Sequence, residues 1–229
     1  MSLARNHYQK IVAAKAAKIA ADSDEETMEN LNAYEQHLGQ LQTHMAQLKN
    51  TQSQAKKIEM KQDFISDYDP YVDGILAEAP GVQDEVMVTQ MIWRLDVGQF
   101  DRAYEIAGYA LEHGLVMPER FNRTLPTYLA EEFAEATIQA DGKDDKQAPP
   151  VKLLVTLLED LKEADMPDQV RAKLHKAIAF GLDEDGEPQA LLTALEHYDR
   201  TIELNPTKNG VKKRREQLVK RLEKETSNT

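Results

Sequence analysis

Apolar positions fall densest between Gln83 and Pro118, in QDEVMVTQMIWRLDVGQFDRAYEIAGYALEHGLVMP. Val86, Val88, Met91, Ile92 and Leu95 share one face of a first helix, and Ala103, Ile106, Ala107, Ala110 and Leu111 share one face of a second. Gly98 stands where the two must turn, because glycine adopts positive φ without strain. Gly114 and Pro118 stop the second helix. Trp93, the single tryptophan, offers the largest apolar area to bury. The pattern predicts a packed helical hairpin.

Upstream, residues 4–21 (ARNHYQKIVAAKAAKIAA) read as a short helix that must dock to persist. Asp22, Ser23 and Asp24 cap the start of the next, with Glu25 and Glu26 in its first turn. Along 24–65, Leu31, Tyr34, Leu38, Leu41, Met45 and Leu48 alternate at spacings of 3 and 4. That is a heptad seam, weakening at Gln52 and continuing through Ala55 and Ile58. A helix of that length spans about 60 Å and needs another helix along it. The partner is an antiparallel helix of the same chain or a copy from another subunit, and the second is the expectation.

Asp69-Pro70 ends that helix and Pro80-Gly81 makes a second turn, with a short helix from Tyr71 to Ala79 between them. Beyond the central hairpin, Arg120 and Arg123 sit in a loop, and Thr127 to Ala140 is amphipathic, with Tyr128, Leu129, Phe133, Ala136 and Thr137 apolar-side. The stretch 141–150 (DGKDDKQAPP) lacks periodicity and reads as a linker. Four helices follow, at 151–163, 169–180, 187–204 and 211–225. Gly98, Ala103, Ala107 and Ala110, and later Ala194, Tyr198, Thr201 and Pro206, match tetratricopeptide-like spacing, though two degenerate copies do not make a solenoid. The fold class is all-α: a basic N-terminal helix (1–23), a long coiled-coil-like helix (24–66), a central helical domain (67–140), a linker (141–150) and a C-terminal helical domain (151–229), both domains built of helical hairpins.

Composition agrees: 229 residues, 41% apolar, 30% charged and rich in helix formers. The absence of cysteine excludes disulfides, thiolate metal sites and a cysteine nucleophile. No apolar run reaches a membrane span and the first residues carry no signal-peptide core, so no membrane partner is expected. The net charge of −12 argues against nucleic acid, but its distribution does not. Residues 1–21 hold Arg5, Lys10, Lys15 and Lys18 and no acid. Residues 208–224 hold Lys208, Lys212, Lys213, Arg214, Arg215, Lys220, Arg221 and Lys224 against only Glu216 and Glu223. The middle, 22–207, carries −21. Basic ends around an acidic middle suit two partners of opposite charge, or simply solvated helix faces.

Candidate chemistry is sparse. Gly142-Lys143 lacks the flanking residues of a phosphate loop. Asp183-Glu184-Asp185-Gly186-Glu187 fails as a calcium loop, since Gly181 and Leu192 stand at the first and last ligand positions, and reads as a solvated turn. His7, His37, His44, His113, His175 and His197 show no metal spacing. His113 reads as a charge near a helix end and His175 as a partly buried face residue. No catalytic residue, metal or cofactor is expected.

Two blocks carry a resemblance. Met91-Ile92-Trp93-Arg94-Leu95-Asp96 with Gly98, Ala103, Glu105-Ile106-Ala107, Tyr109-Ala110-Leu111, Gly114-Leu115 and Met117-Pro118 forms the first, and residues 164–176 (ADMPDQVRAKLHK) the second. Weaker collinear matches are Pro70-Tyr71-Val72, Gln83-Asp84, Arg123-Thr124 with Pro126, Glu131-Glu132 and Gly210-Val211-Lys212-Lys213. They resemble the small terminase subunit of temperate tailed phages of the P-two group. The resemblance implies a non-catalytic subunit that binds double-stranded viral DNA at the packaging-start site, as a homo-oligomer, in the cytoplasm of an infected bacterium. It implies a large-subunit partner that supplies the ATPase and nuclease. The expected DNA contacts are Lys208, Lys212, Lys213, Arg214, Arg215, Lys220 and Arg221 with Arg5, Lys10, Lys15 and Lys18; the expected subunit contacts are Leu31, Tyr34, Leu38, Leu41, Met45 and Leu48. Members of the family can carry a long, very basic tail, whereas this sequence ends in Thr-Ser-Asn-Thr. The alternative is a helical adaptor that binds only protein.

Overall fold

The structure, a computed structural model, describes residues 25–143 and 147–227, with side chains over 33–143 and 147–224. Every regular element among the described residues is a helix. The chain divides into two compact units near Pro80: the first reaches Pro80 and includes 84–86, the second holds 81–83 and everything from Met87 on.

In the first unit the expected long helix is two. α1 runs Glu25–Asn50 and α2 runs Gln54–Ile65. The break falls where the seam loses its apolar residue, at Gln52. There Ser53 caps α2, its Oγ accepting from the Lys56 N–H at 3.3 Å, and Thr51 Oγ1 donates to the Gln47 carbonyl at 3.1 Å and to Met60 Sδ at 3.4 Å. A 3₁₀ turn, Ser66–Tyr68, leads into α3, Asp69–Glu78, which tolerates Pro70 because a first-turn N–H has no intrahelical acceptor. Ala79, at φ 46°, closes it in the left-handed region.

α1 folds back antiparallel on α2 and α3. His44 stacks on Phe64 with centroids 3.8 Å apart and shares a 2.9 Å hydrogen bond with the Tyr68 hydroxyl; further from the turn, Gln40 donates to Asp67 and His37 stacks on Tyr71 at 4.5 Å. Leu41 and Leu48 of the seam are buried at 0% and 8% exposure, with Ile65, Tyr68, Val72 and Ile75 buried in the same unit. The seam therefore closes on its own chain. Leu41 and Leu48, expected at a subunit contact, thus pack inside this unit: the heptad pattern specifies a partner helix but not whose. Tyr34, Leu38 and Met45 are half-buried, and the Leu31 side chain lies outside the described residues, as do 1–24.

The second unit holds most of α4 (Glu85–Asp96), then α5 (Phe100–Glu112), α6 (Leu125–Ala140), α7 (Val151–Asp160), α8 (Asp168–Asp185), α9 (Pro188–Leu204) and α10 (Lys212–Ser227). α4 is buried on every side: Thr89, Gln90 and Arg94 are as inaccessible as Met87 and Met91. The Arg94 guanidinium donates from Nη1 to Gln90 Oε1 at 2.9 Å, one turn back. Gly98, at φ 81°, makes the turn into α5, and the Gln99 N–H caps the Arg94 carbonyl at 2.8 Å. Ala103, Ala107, Ala110, Ala194, Tyr198 and Thr201, six of the positions with tetratricopeptide-like spacing, are all buried, as helix-contact positions are in any hairpin.

α8 is the hub, packed by α6, α7 and α9. α7 comes so close that a Cβ at Gly181 would lie 2.9 Å from Val151 Cβ. α6 and α8, on either side of the stretch 141–150, pack together within one compact unit. Its polarity hides two ties: Pro149 is buried and Asp141 binds Arg214. α8 also runs on through Asp185 to Gly186, so the expected acidic turn is a helix end. Asp183 there accepts from the Tyr198 hydroxyl at 3.0 Å.

Candidate functional site

α10 is positioned by a turn of asparagines. Asn205 Oδ1 accepts from the Lys208 N–H at 3.2 Å, Asn209 Nδ2 donates to the Asn205 carbonyl at 2.8 Å, and Asn209 Oδ1 accepts from the Val211 N–H at 3.1 Å. Gly210, at φ 69°, completes the reversal. Val211 and Leu218 then bury at 0% and 2% exposure against Ala179, Phe180, Leu191, Ala194 and Tyr198. At about 100° per residue, those two anchors fix which side chains of α10 face the protein.

They divide the basic residues in two. Arg214 grips Asp141 with two bonds, Nη1 to Oδ2 at 3.0 Å and Nη2 to Oδ1 at 2.9 Å, while its guanidinium lies 4.1 Å from the Phe180 ring centroid. Arg215 donates to both oxygens of Asp199, and that hydrogen bond holds its guanidinium above the usual range. Arg221 donates to Asp183 at 3.3 Å. Three carboxylates from the end of α6, from α8 and from α9 thus receive three arginines of α10. Lys208, Lys212, Lys213, Lys220 and Lys224 are exposed, and none is ion-paired among the described residues. Sequence reasoning leaves Lys224 out of the DNA-contact set; its alignment with Lys213 and Lys220 is a helical-wheel signal that emerges once the buried side of α10 is known.

The other basic candidates are placed differently. Arg5, Lys10, Lys15 and Lys18 lie outside the described residues. Arg123 pairs with Glu131 at 2.8 Å, and Arg120 donates to Thr89 Oγ1 at 3.3 Å and lies over Phe121. Lys173 bridges Glu131 and Glu135. Burial, and then the neighbouring Arg214 charge, lower the Lys176 pKa.

Two histidines meet. His175 Nδ1 and His197 Nδ1 are 2.8 Å apart, so one ring donates and the other accepts. Burial, then the partner ring and Arg200 and Arg171, push His175 down to about 4, and burial lowers His197 as well. Among the described residues no group of three or more His, Asp or Glu side chains is placed to hold a metal ion, and no helix is long and apolar enough to cross a membrane.

These elements define an all-helical protein whose last helix turns arginines inward and lysines outward. Residues 38–169 match the family model of the phage small terminase subunit. The chain is 36% identical to the "Terminase, endonuclease subunit" of Escherichia phage P2, over 96% of its own length and 85% of that relative's. It is 27% identical to the "Probable terminase, endonuclease subunit" of Haemophilus phage HP1, over 73% of its length and 62% of that relative's. The chain belongs to the phage small terminase subunit family. No solved structure matches it.

Proposed function

We propose that this chain is the DNA-recognising, non-catalytic subunit of a phage packaging terminase. It binds concatemeric double-stranded viral DNA near the packaging start, as an oligomer, in the cytoplasm of the infected bacterium. It then brings that DNA to the large subunit and regulates the ATPase and nuclease there. The observation that carries this is the set of exposed lysines on α10, without ion pairs among the described residues, in a family member whose net charge is −12. A polyanion needs such a surface, since each neutralised phosphate releases counterions. Leu41 and Leu48 are buried within the chain, and the half-buried seam residues Tyr34, Leu38 and Met45 are the candidates for subunit contacts. The test is reconstitution with the large subunit: this chain should raise its ATPase rate on viral duplex, and not on duplex of unrelated sequence. No effect on either would favour the adaptor that binds only protein.

The relatives' names favour a second reading, in which this subunit itself cleaves DNA. Incubation of supercoiled viral DNA with the purified chain and Mg²⁺ or Mn²⁺ separates the two. The first reading expects nicking only when the large subunit is present.

A further inference from the structure

On a helix, Lys213, Gln217, Lys220 and Lys224 fall within a sector of about 60°, at about 100° per residue. All four are exposed. The second and third lysines stand about 10 and 16 Å along the axis from the first, at about 1.5 Å rise per residue. Arg214 and Arg221 border the sector on one side, already neutralised by Asp141 and Asp183. Glu216 and Glu223 border it on the other, and Lys212 lies beyond them.

We infer that the stripe Lys213–Lys220–Lys224 is the face of α10 that lies along DNA phosphates, and that Arg214, Arg215 and Arg221 instead clamp the helix to the protein. The inference rests on the DNA-binding reading above and narrows it. Two arguments favour a phosphate backbone over a protein surface. The sector presents only ammonium groups and one amide, with no aromatic or aliphatic side chain, whereas the centre of a protein interface is depleted in charge and enriched in apolar and aromatic residues. The arginines, which are the better bidentate phosphate ligands, already have acceptors in the fold. Withdrawing them would expose Asp141, Asp199 and Asp183 beside the incoming polyanion. The lysines need no rearrangement, and flexible point charges suit contacts that position the duplex without reading its bases.

The experiment is duplex binding by the full chain across a salt series, in four forms. The variant Lys213→Gln, Lys220→Gln, Lys224→Gln should flatten the slope of log affinity against log salt by about 0.9 for each phosphate no longer neutralised, so by roughly 2 to 3. A charge-matched control, Lys49→Gln, Lys56→Gln, Lys152→Gln, changes lysines elsewhere and should leave the slope within error. Arg214→Lys, Arg215→Lys, Arg221→Lys keeps every charge; it should lower the melting temperature and keep the slope. Equal flattening by both glutamine triples would reduce the effect to net charge and overturn the stripe. So would an unchanged slope in the stripe variant while the wild-type chain binds. A wild-type chain with no salt-dependent duplex binding would sink the DNA reading itself, with the stripe along with it.

Discussion

Arg214 and Asp141 join two segments 73 positions apart through paired bonds of 3.0 and 2.9 Å. The contact ties the last helix to the end of α6. Both partners are about a third exposed, so solvent screens the pair. Asp141→Asn should cost about 1 kcal/mol or less in a urea titration. Arg214→Ala should cost more, about 1–2 kcal/mol, because the guanidinium also covers Phe180. Equal costs for the two variants would show that the ring contact contributes nothing.

The histidine pair predicts an acid dependence. Both pKa values are lowered in the folded chain, His175 from 6.5 to about 4, so between those values the unfolded chain binds more protons. Stability from this pair is complete above the unfolded value and is lost as pH falls toward 4. Denaturation midpoints measured at intervals through that window should fall for the wild-type chain, and His175→Gln should flatten the decline. An unaltered decline would assign the acid sensitivity to other groups.

Leu41 distinguishes a seam within the chain from a seam between chains. Its side chain is fully buried, so Leu41→Ala should destabilise the first unit by about 2–5 kcal/mol through reduced transfer energy and a residual cavity. If the hairpin is the whole explanation, the shift in midpoint is the same at all protein concentrations. A loss that grows on dilution would place the residue at a subunit contact instead.

Gly181 reports the approach of α7 to α8. Alanine there would ordinarily favour a helix by nearly 1 kcal/mol, but its Cβ would meet Val151 Cβ at 2.9 Å. Overpacking at about 1–3 kcal/mol should win, giving net destabilisation in thermal unfolding. Val151→Gly in the same chain should return part of the loss; a stabilised Gly181→Ala would mean the helices separate at little cost.

Much of the fold is legible in the sequence. The two helices of the central hairpin and the helix read from Thr127 to Ala140 follow from periodicity and are found at Glu85–Asp96, Phe100–Glu112 and Leu125–Ala140, and Gly98 marks its turn for a stated backbone reason. Other features lack a local signal. Nothing in their residue types marks Thr89, Gln90 and Arg94 as core, yet all three are buried, and Gln90 Oε1 accepts from Arg94 there. The heptad seam specifies a helical partner but not its chain. Only the Gln52 gap and the Ser53 cap, read together, signal the reversal. In the candidate site, composition identifies eight basic residues in 208–224 and cannot sort them. The sorting depends on carboxylates at 141, 183 and 199, distant in sequence and brought together by packing around α8.

DNA recognition by this chain is open to a direct measurement: equilibrium binding of the intact protein to duplex carrying the packaging-start region, at rising salt. Binding is expected at low salt, with log affinity falling linearly against log salt at about 0.9 per phosphate neutralised in each engaged subunit. No binding at low salt, or binding indifferent to salt, would contradict DNA recognition and leave the acidic middle of the chain, facing a protein partner, as the functional surface.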